Sequence, residues 1–400
     1  MQTITVRTIK VDNLREANAL LRRVGADPRG VAIMAPKAVS RVLYLNSVPV
    51  HVAHILKQEM LASGGDAAVH RGVITGEVEQ TDVVLLGTLK QLQQLVIKLK
   101  TQPYFRLPQL AEQIDTVLTV VESSPKGGLN CRGKWLPLGR RTLVMGILNL
   151  TPDSFSDGGK FNHPEAALVQ ARRLVEDGAD ILDVGAESTR PNATPVPAEE
   201  ELRRIKPVLS QLLAEIDVPI SVDTYKAKVA HEVLAMGVQM INDVGGLKFD
   251  PELARVVADY RVPVVIMHNR ARAEYQDLMS ELVADLRQSL ELASRAGIAE
   301  EQIILDPGIG FGKTQQHNLE ILRRLGELRV LGKPLLLGTS RKSFIGATLN
   351  LPVTERMEGT AATVALGIAN GVDIVRVHDV KEMVRVARMT DAIVRGDGDD

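Results

Sequence analysis

Eight apolar runs, each ending in a polar residue, are the feature that most constrains the fold of this chain. The first run, Thr142–Leu148, stops at Asn149 and opens into a loop rich in Gly, Ser and Asp. Segments with helical spacing separate the runs, for example Pro164–Glu176 and Lys226–Met236. A buried parallel strand has a continuous apolar sequence, and strands that alternate with helices form parallel sheets. Eight such units over about 250 residues have the size of a (β/α)8 TIM barrel.

A doubly wound open sheet is the alternative fold for the same alternation. Such a sheet binds ligands at one switch point, whereas a barrel gathers the carboxyl ends of all its strands at one mouth. Because every strand candidate ends in a polar residue, the pattern favours the barrel. The strand-end residues are Asn149, Asp183, Asp223, Asn242, His268, Asp306, Ser340, Arg376 and His378, with Arg341 and Lys342 just beyond Ser340.

The strand-end side chains fall into two chemical sets. One set consists of acceptors suited to a donor-rich heterocycle, and the other suits an anion and its metal ion. The first set is Asp223, Asn242 and Asp306, and the second is Asn149, Arg376 and His378. Burying so many polar groups without partners is costly, so the sequence predicts a ligand site at the mouth of the barrel.

The composition argues against several other classes of protein. A net charge of −1 and an aromatic content of 3% give no basis for nucleic-acid binding. The sequence contains neither an apolar segment near the ~20 residues of a membrane span nor a signal-peptide pattern. Its single cysteine, Cys131, excludes an intrachain disulfide. We therefore expect a cytoplasmic protein that binds neither nucleic acid nor membrane.

Shifts in composition predict four segments along the chain. Strand candidates such as Ile4–Ile9 and Val31–Met34, with helical patterns between them, predict a smaller α/β domain before the barrel, and nothing in that domain indicates a function. A hairpin is expected to plug the bottom of the barrel, with Trp135 as its main apolar side chain. The segments are 1–123 for the N-terminal domain, 124–134 for a linker and the start of the hairpin, 135–395 for the barrel and 396–400 for an acidic tail.

Two local motifs near the carboxyl ends of strands resemble anion sites. Asp306–Thr314 ends in Gly-Lys-Thr, but it fails the spacing of a phosphate-binding loop because Pro307 occupies the position of the first glycine. We interpret it as a barrel loop that lets the backbone approach a ligand, with Phe311 as an apolar wall. In Thr339–Ser343, two adjacent cations at a helix start would oppose the helix dipole, which implies a bound anion or acceptor.

Seven motifs, in chain order, resemble those of dihydropteroate synthase. They are Met145–Gly159, Asp183–Pro191, Ser221–Thr224, Ile241–Val244, Leu305–Lys313, Ser340–Ser343 and Arg376–His378. The resemblance covers about 135–395, and its first motif is highly specific. It implies a transferase of folate biosynthesis, and a sulfonamide target, that joins 6-hydroxymethyl-7,8-dihydropterin pyrophosphate to 4-aminobenzoate, giving 7,8-dihydropteroate and pyrophosphate.

The same resemblance implies a role for each matching residue. Pterin binding is assigned to Asp223, Asn242, Met267, Asp306, Lys342 and Arg376, and pyrophosphate binding to Asn149, Arg376 and His378. Aminobenzoate binding is assigned to Thr189, Arg190, Pro191, Phe311 and Ser343. The catalytic set is Asn149, Asp183, Lys342, Arg376 and His378, and the implied cofactor, Mg2+, is assigned to Asn149 and Asp157. The expected partners are the two small-molecule substrates and a second copy of the chain, in a homodimer through the barrel.

Two alternative functions are considered beside this one. Pterin-dependent methyl transfer to a corrinoid takes place on a similar barrel, but it needs no pyrophosphate site, so Arg376–His378 argues against it. A pterin-binding protein without catalysis is the other alternative. The intact set of strand-end residues argues against that alternative.

Overall fold

The structure is a computed structural model that describes residues 4–122, 127–150, 163–187 and 195–395. The chain divides into two compact units, Met1–Ser124 and Pro125–Asp400. Each unit has an apolar core of its own.

The N-terminal unit packs helices against a three-stranded antiparallel sheet. Its elements are α1 (Leu14–Arg23), α2 (Pro28–Ala38), β1 (Ser40–Pro49), α3 (Val50–Ala62), β2 (Asp66–Val69), β3 (Gln80–Thr88), α4 (Leu89–Lys100) and α5 (Leu107–Glu122). The strand order is β1-β3-β2, and Leu85 of the central strand lies between Leu43 and Ala67. Leu85 is fully buried together with Leu56 and Leu95, so one face of the sheet forms the core of the unit.

Two strand predictions in this unit are wrong. Val31–Met34 lies within α2, because the Asp27 side chain accepts hydrogen bonds from the first backbone amides of that helix and Pro28 has the fixed φ of a first helical residue. Ile4–Ile9 forms neither helix nor strand. Ile4 and Val6 are 89% exposed, so the alternating sequence there has no core to pack against.

The second unit is a (β/α)8 barrel preceded by a hairpin, as the sequence predicts. The hairpin strands are β4 (Gly128–Cys131) and β5 (Lys134–Pro137). The barrel strands are β6 (Leu143–Asn149), β7 (Ile181–Gly185), β8 (Ile220–Asp223), β9 (Met240–Asp243), β10 (Val264–Met267), β11 (Ile303–Asp306), β12 (Leu336–Leu337) and β13 (Ile374–Val377). The helices are α6 (His163–Glu176), α7 (Ala198–Glu215), α8 (Ala227–Met236), α9 (Leu253–Tyr260), α10 (Leu278–Ala296), α11 (Gln315–Arg323), α12 (Ser343–Leu349), α13 (Met357–Ala369) and α14 (Val380–Arg395).

The barrel sheet closes on itself. Its eight strands follow the order β11-β10-β9-β8-β7-β6-β13-β12, and the paired strands are parallel. A parallel bridge between Leu305 and Leu335 joins the two ends of that order. The open-sheet alternative is therefore wrong, and the carboxyl ends of all eight strands surround one mouth.

The hairpin covers the opposite, amino-terminal end of the barrel. Leu129, Cys131 and Leu136 form one buried cluster with side chains near the strand starts, namely Met145, Ile181, Met240, Val265, Ile304, Leu336 and Ile374. Trp135 is 59% exposed, so the prediction that it provides the main apolar contact is wrong. Successive residues of a strand face opposite sides, and Trp135 pairs with Asn130 on the outer side of the hairpin. Burial raises the pKa of Cys131 to about 12, which suits a packed thiol and not a nucleophile.

Candidate active site at the mouth of the barrel

The buried acceptors at the mouth come from neighbouring strands. Asp183 lies opposite Ser221, and Asp223 lies opposite Asn242, so four polar side chains occupy adjacent positions on β7, β8 and β9. All four are at least nine-tenths buried. Farther around the ring, Met267 of β10 is the register partner of Asp306 on β11. Parallel pairing thus brings together residues that are far apart in the sequence.

Arg376, on β13, connects the acidic residues across the mouth. Its Nε donates to Oδ2 of Asp183 at 2.7 Å, and its Nη2 donates to Oδ2 of Asp223 at 3.0 Å. Asn242 Nδ2 donates to the same oxygen of Asp183 at 3.0 Å. A guanidinium has five N–H donors, of which two are used in these bonds. The ion pairs therefore fix Arg376 while leaving donors for a ligand.

Several acceptors at the mouth have no hydrogen-bond partner among the described residues. They include Oδ1 of Asp183, Oδ1 of Asp223 and Oγ of Ser221, all buried. Burial raises the pKa of Asp223 to about 7, although the nearby Arg376 lowers it. An unpaired buried polar atom costs ~1–3 kcal/mol. A ligand that donates hydrogen bonds from one edge would satisfy these atoms.

Lys342 and Asp306 are two further charged residues of the mouth, and each influences the pKa of the other. Asp306 Oδ1 accepts a hydrogen bond from the Gly308 amide at 2.7 Å, and Lys342 Nζ donates to the Ile309 carbonyl. The same Nζ lies 4.8 Å from the centre of the Phe311 ring. Burial lowers the pKa of Lys342 to about 8, against the opposing effect of Asp306. Burial likewise raises the pKa of Asp306, and Lys342 opposes that shift.

Asn149 is the last residue of β6, and His378 directly follows the neighbouring strand β13. Asn149 pairs with Gly185, and a Cβ at Gly185 would lie 3.8 Å from Asn149 Oδ1 and 3.7 Å from Asp223 Cβ. The lack of a side chain at Gly185 therefore keeps space open between Asn149 and Asp223. On the other side, the His378 amide donates to Ser340 Oγ at 3.1 Å, and His378 Nδ1 lies 3.0 Å from that hydroxyl. The hydroxyl of Ser340 thus orients the imidazole.

The two adjacent cations of Thr339–Ser343 both have acceptors within the protein. Arg341 forms a two-bond ion pair with Asp379, and Lys342 bonds to the Ile309 carbonyl. The acceptor that the sequence implied is therefore supplied in part by the chain itself. Ser343, the first residue of α12, is exposed, and Phe311 is half-buried. Both lie closer to solvent than the strand acceptors.

Four of the predicted site residues lie outside the described residues: Asp157, Thr189, Arg190 and Pro191. The described residues contain no group of three or more His, Cys, Asp or Glu side chains that could hold a metal ion. Asn149 is the described member of the predicted metal pair. No helix in the described ranges is long and apolar enough to cross a membrane.

Sequence reasoning missed three side chains of this region. Ser221 lies two residues before Asp223 on β8, and strand alternation, which places such residues on one face, could have identified it. Lys313 lies in the loop after β11, where its Nζ is 2.8 Å from His268 Nδ1. The partner of that histidine, Asp285, is in the middle of α10, and no local motif marks it.

The chain is similar to known proteins over the barrel and, for two bifunctional relatives, over nearly its full length. A family model described as pterin binding enzyme matches residues 145–378. The dihydropteroate synthase of Clostridium beijerinckii is 52% identical over 259 residues, which are 64% of this chain and 96% of that protein. The structure of a Clostridium difficile dihydropteroate synthase in the presence of pteroic acid is 54% identical, with a TM-score of 0.64 over 65% of this chain and 99% of that one. A probable bifunctional folylpolyglutamate synthase/dihydropteroate synthase of Halobacterium salinarum is 39% identical over 401 residues, covering 98% of this chain and 48% of that protein.

Proposed function

Because this chain belongs to the dihydropteroate synthase family of pterin-binding enzymes, we propose that the residues at the mouth of its barrel bind the two substrates of that reaction and align them. The chain is a transferase of folate biosynthesis that joins 6-hydroxymethyl-7,8-dihydropterin pyrophosphate to 4-aminobenzoate. The products are 7,8-dihydropteroate and pyrophosphate. The sequence identity of 52% to a dihydropteroate synthase favours this reaction over corrinoid methylation and over pterin binding without catalysis.

The pterin ring binds among the buried acceptors of β7, β8, β9 and β11. Its amino-pyrimidine edge donates to Asp223 and Asp306, and Asn242 provides a side chain that both donates and accepts. The unpartnered Oδ1 of Asp223 supports this placement, because it is buried and faces no donor among the described residues. Lys342 reaches the ring from beyond β12, and Met267, 4% exposed at the end of β10, packs against it.

Pyrophosphate binds on the side of the mouth formed by β6 and β13. Arg376 and His378 donate to its oxygens, and the hydrogen bond of His378 to Ser340 supports the orientation of the ring. The donor set also fits Mg2+, which binds proteins through few oxygen ligands together with phosphate oxygens and water. Asn149, with Asp157, would hold that ion, which when bound supplies positive charge to the leaving group.

Aminobenzoate binds nearest to solvent. Phe311 forms its apolar wall, and the exposed Ser343 at the start of α12 is within the same outer part of the mouth. By resemblance, Thr189, Arg190 and Pro191 complete this pocket. The two substrates then lie one above the other, with the amine facing the pterin methylene carbon.

The residues at the mouth act on the charges that develop during the reaction. The amine nitrogen forms a bond to the methylene carbon, the C–O bond breaks with its electron pair on pyrophosphate, and one N–H proton is released. An arylamine is already neutral at pH 7, so no strong base is needed. Arg376 and His378 stabilise the charge on the leaving group, and the electron-rich pterin supports positive charge on its methylene.

The observation that carries this proposal is the set of buried, unpartnered acceptors beside Arg376. The test is pyrophosphate release on mixing both substrates with Mg2+. We expect turnover in the wild-type protein, a loss of at least about 100-fold in Arg376→Met, and wild-type rates in Arg323→Met, which changes an exposed arginine at the end of α11. Equal rates in the two variants would exclude Arg376 from the site.

The protein is also proposed to form a homodimer through the barrel, and to act in the cytoplasm. Apolar side chains on the outer surface of α13 and α14 support the dimer: Leu366, Met389 and Ile393 are 42%, 64% and 71% exposed. The combined change Met389→Asp and Ile393→Asp should give a monomer in sedimentation experiments. Ile97→Asp, at an apolar residue of α4 that is 64% exposed, should leave the mass unchanged.

A further inference from the structure

The lysine of the Gly-Lys-Thr motif occupies a defined position behind the mouth. Lys313 Nζ donates to Nδ1 of His268 at 2.8 Å and to the carbonyl oxygen of Phe311 at 3.0 Å. Both acceptors are neutral. A neutral amine has two N–H bonds and an ammonium has three, so Lys313 can satisfy both acceptors in either protonation state.

His268 transmits this contact to helix α10. Its Nε2 donates to Oδ2 of Asp285 at 3.0 Å, which leaves Nδ1 as the acceptor for Lys313. Burial lowers the pKa of His268 to about 4, so the ring is neutral at pH 7, as an acceptor Nδ1 requires. Asp285 is itself held by Arg270, whose Nε donates to it at 2.6 Å. Lys313, His268 and Asp285 thus form a continuous chain of hydrogen bonds, here called the Lys313 network.

The loop that carries Phe311 is packed directly on the backbone that follows β10. A Cβ at Gly308 would lie 1.9 Å from the His268 carbonyl oxygen, and one at Gly312 would lie 2.2 Å from that of Arg270. Both glycines also have positive φ angles, of 67° and 55°. Phe311 lies between these two glycines in the sequence, and its carbonyl oxygen accepts the hydrogen bond from Lys313. The Phe311 amide also donates to the Gly308 carbonyl at 3.1 Å, so this bond and the one from Lys313 together hold the backbone that carries the ring.

We propose that Lys313 is a positioning residue for the condensation: through the Lys313 network it fixes the backbone at Phe311, and so places the aromatic ring against Lys342 and the incoming aminobenzoate. This inference rests on the proposed role of Phe311 as the aminobenzoate wall. Lys313 contacts neither substrate. Charged groups around its Nζ are Asp306, Lys342, Arg270 and Asp285. None of them supplies a bond to the Phe311 carbonyl within the described residues.

Steady-state kinetics with a matched control test this proposal. In Lys313→Met, the KM for aminobenzoate should rise about tenfold or more, because a shift of about 1 Å in a positioning group has effects of this size. The KM for the pterin pyrophosphate should stay within about twofold of wild type, since the hydrogen bonds of Lys313 go to His268 and Phe311 and not to the strand acceptors. Lys381→Met, at an exposed lysine of α14, should leave both constants unchanged. An unchanged aminobenzoate KM in Lys313→Met, or an equal rise in both KM values, overturns the proposal.

Two further variants keep the test decisive if Lys313→Met does not fold. His268→Asn retains an acceptor near the position of Nδ1, whereas His268→Leu removes it, so the aminobenzoate KM should rise less in the first variant. Equal effects would contradict the proposed network. A 15N spectrum of labelled histidines should show neutral His268 protonated at Nε2. Absence of turnover in the wild type would defeat the proposed function, whereas wild-type turnover with normal Lys313→Met kinetics defeats only this inference.

Discussion

Arg376 determines how the carboxylates at the mouth behave. It bridges Asp183 and Asp223, so two buried acids share one cation, and the charge of Lys342 opposes the rise that burial causes in the pKa of a third acid, Asp306. Removing one member of a buried, hydrogen-bonded ion pair leaves the other charge without compensation. Substitutions here therefore act both on the ligand and on the neighbouring side chains.

Asp223→Ala should strongly weaken binding of the pterin pyrophosphate. The ligand loses a charged acceptor, which is worth ~1.5–3 kcal/mol, or about 10- to 150-fold in affinity. Calorimetric titration measures the change. Asp217→Ala, at an exposed residue before the start of β8, is the control and should bind as wild type does. Unchanged affinity in Asp223→Ala would remove this residue from the pterin site.

His268 should make the protein less stable in acid. Its pKa is about 4 in the folded state, against about 6.5 in an unfolded chain. Between these values the unfolded state binds a proton that the folded state does not, so stability falls as the pH drops from about 6.5 to about 4, by at most ~1.4 kcal/mol per unit from this group.

The comparison of wild type with His268→Asn isolates that contribution. Urea unfolding at pH 7.5 and pH 4.5 should show a larger acid loss of stability in wild type, because other groups titrate in both proteins. Parallel pH profiles would mean that His268 is not held neutral in the fold.

At the scale of elements, the hairpin β4–β5 and the barrel strands form one structural unit. The hairpin contributes Leu129, Cys131 and Leu136 to the cluster that fills the amino-terminal end. Its outer face carries Trp135, which is more than half exposed. The two faces of the hairpin therefore differ in their contribution to stability.

Leu129→Ala should lower the free energy of unfolding of the barrel by ~2–5 kcal/mol, the usual range for a fully buried leucine. Trp135→Ala should cost less than about 1 kcal/mol, as for other exposed positions. Urea denaturation of both variants gives the comparison. A larger loss from Trp135→Ala would mean that the hairpin packs through its other face.

The sequence was sufficient to predict the barrel elements but not all contacts between them. Each barrel strand is a short apolar run with a polar end, and these signals are local. The N-terminal strand candidate Val31–Met34 was wrong because helix capping at Asp27 outweighed its β-branched residues. The partnership of His268 with Asp285 joins a strand end to a helix interior, and only the packed fold reveals it. Site roles taken from the family resemblance, such as that of Arg190, remain predictions.

At the scale of the whole molecule, the two units differ in which relatives align with them. The Clostridium beijerinckii enzyme aligns over 96% of its own length, but with only 64% of this chain. The Halobacterium salinarum protein aligns with 98% of this chain. We propose that the N-terminal unit is not required for condensation, because each unit has its own core.

A chain that begins near Lys126 should therefore fold and retain pyrophosphate release at a rate within about threefold of the full protein. Circular dichroism and the turnover assay check the two parts of this prediction. The same chain with Arg376→Met is the inactive control. An insoluble or inactive product would show that residues before the hairpin belong to the structure of the enzyme.

The hairpin closes one end of the barrel, and it therefore limits the routes by which substrates enter and products leave. With Leu129, Cys131 and Leu136 filling that end, both substrates arrive, and both products depart, through a single opening. The pterin acceptors are deeply buried, whereas Phe311 and Ser343 lie nearer to solvent. Aminobenzoate that arrives first would stand in the path of the pterin. Turnover should consequently be ordered, pterin before aminobenzoate, and an excess of aminobenzoate should slow it.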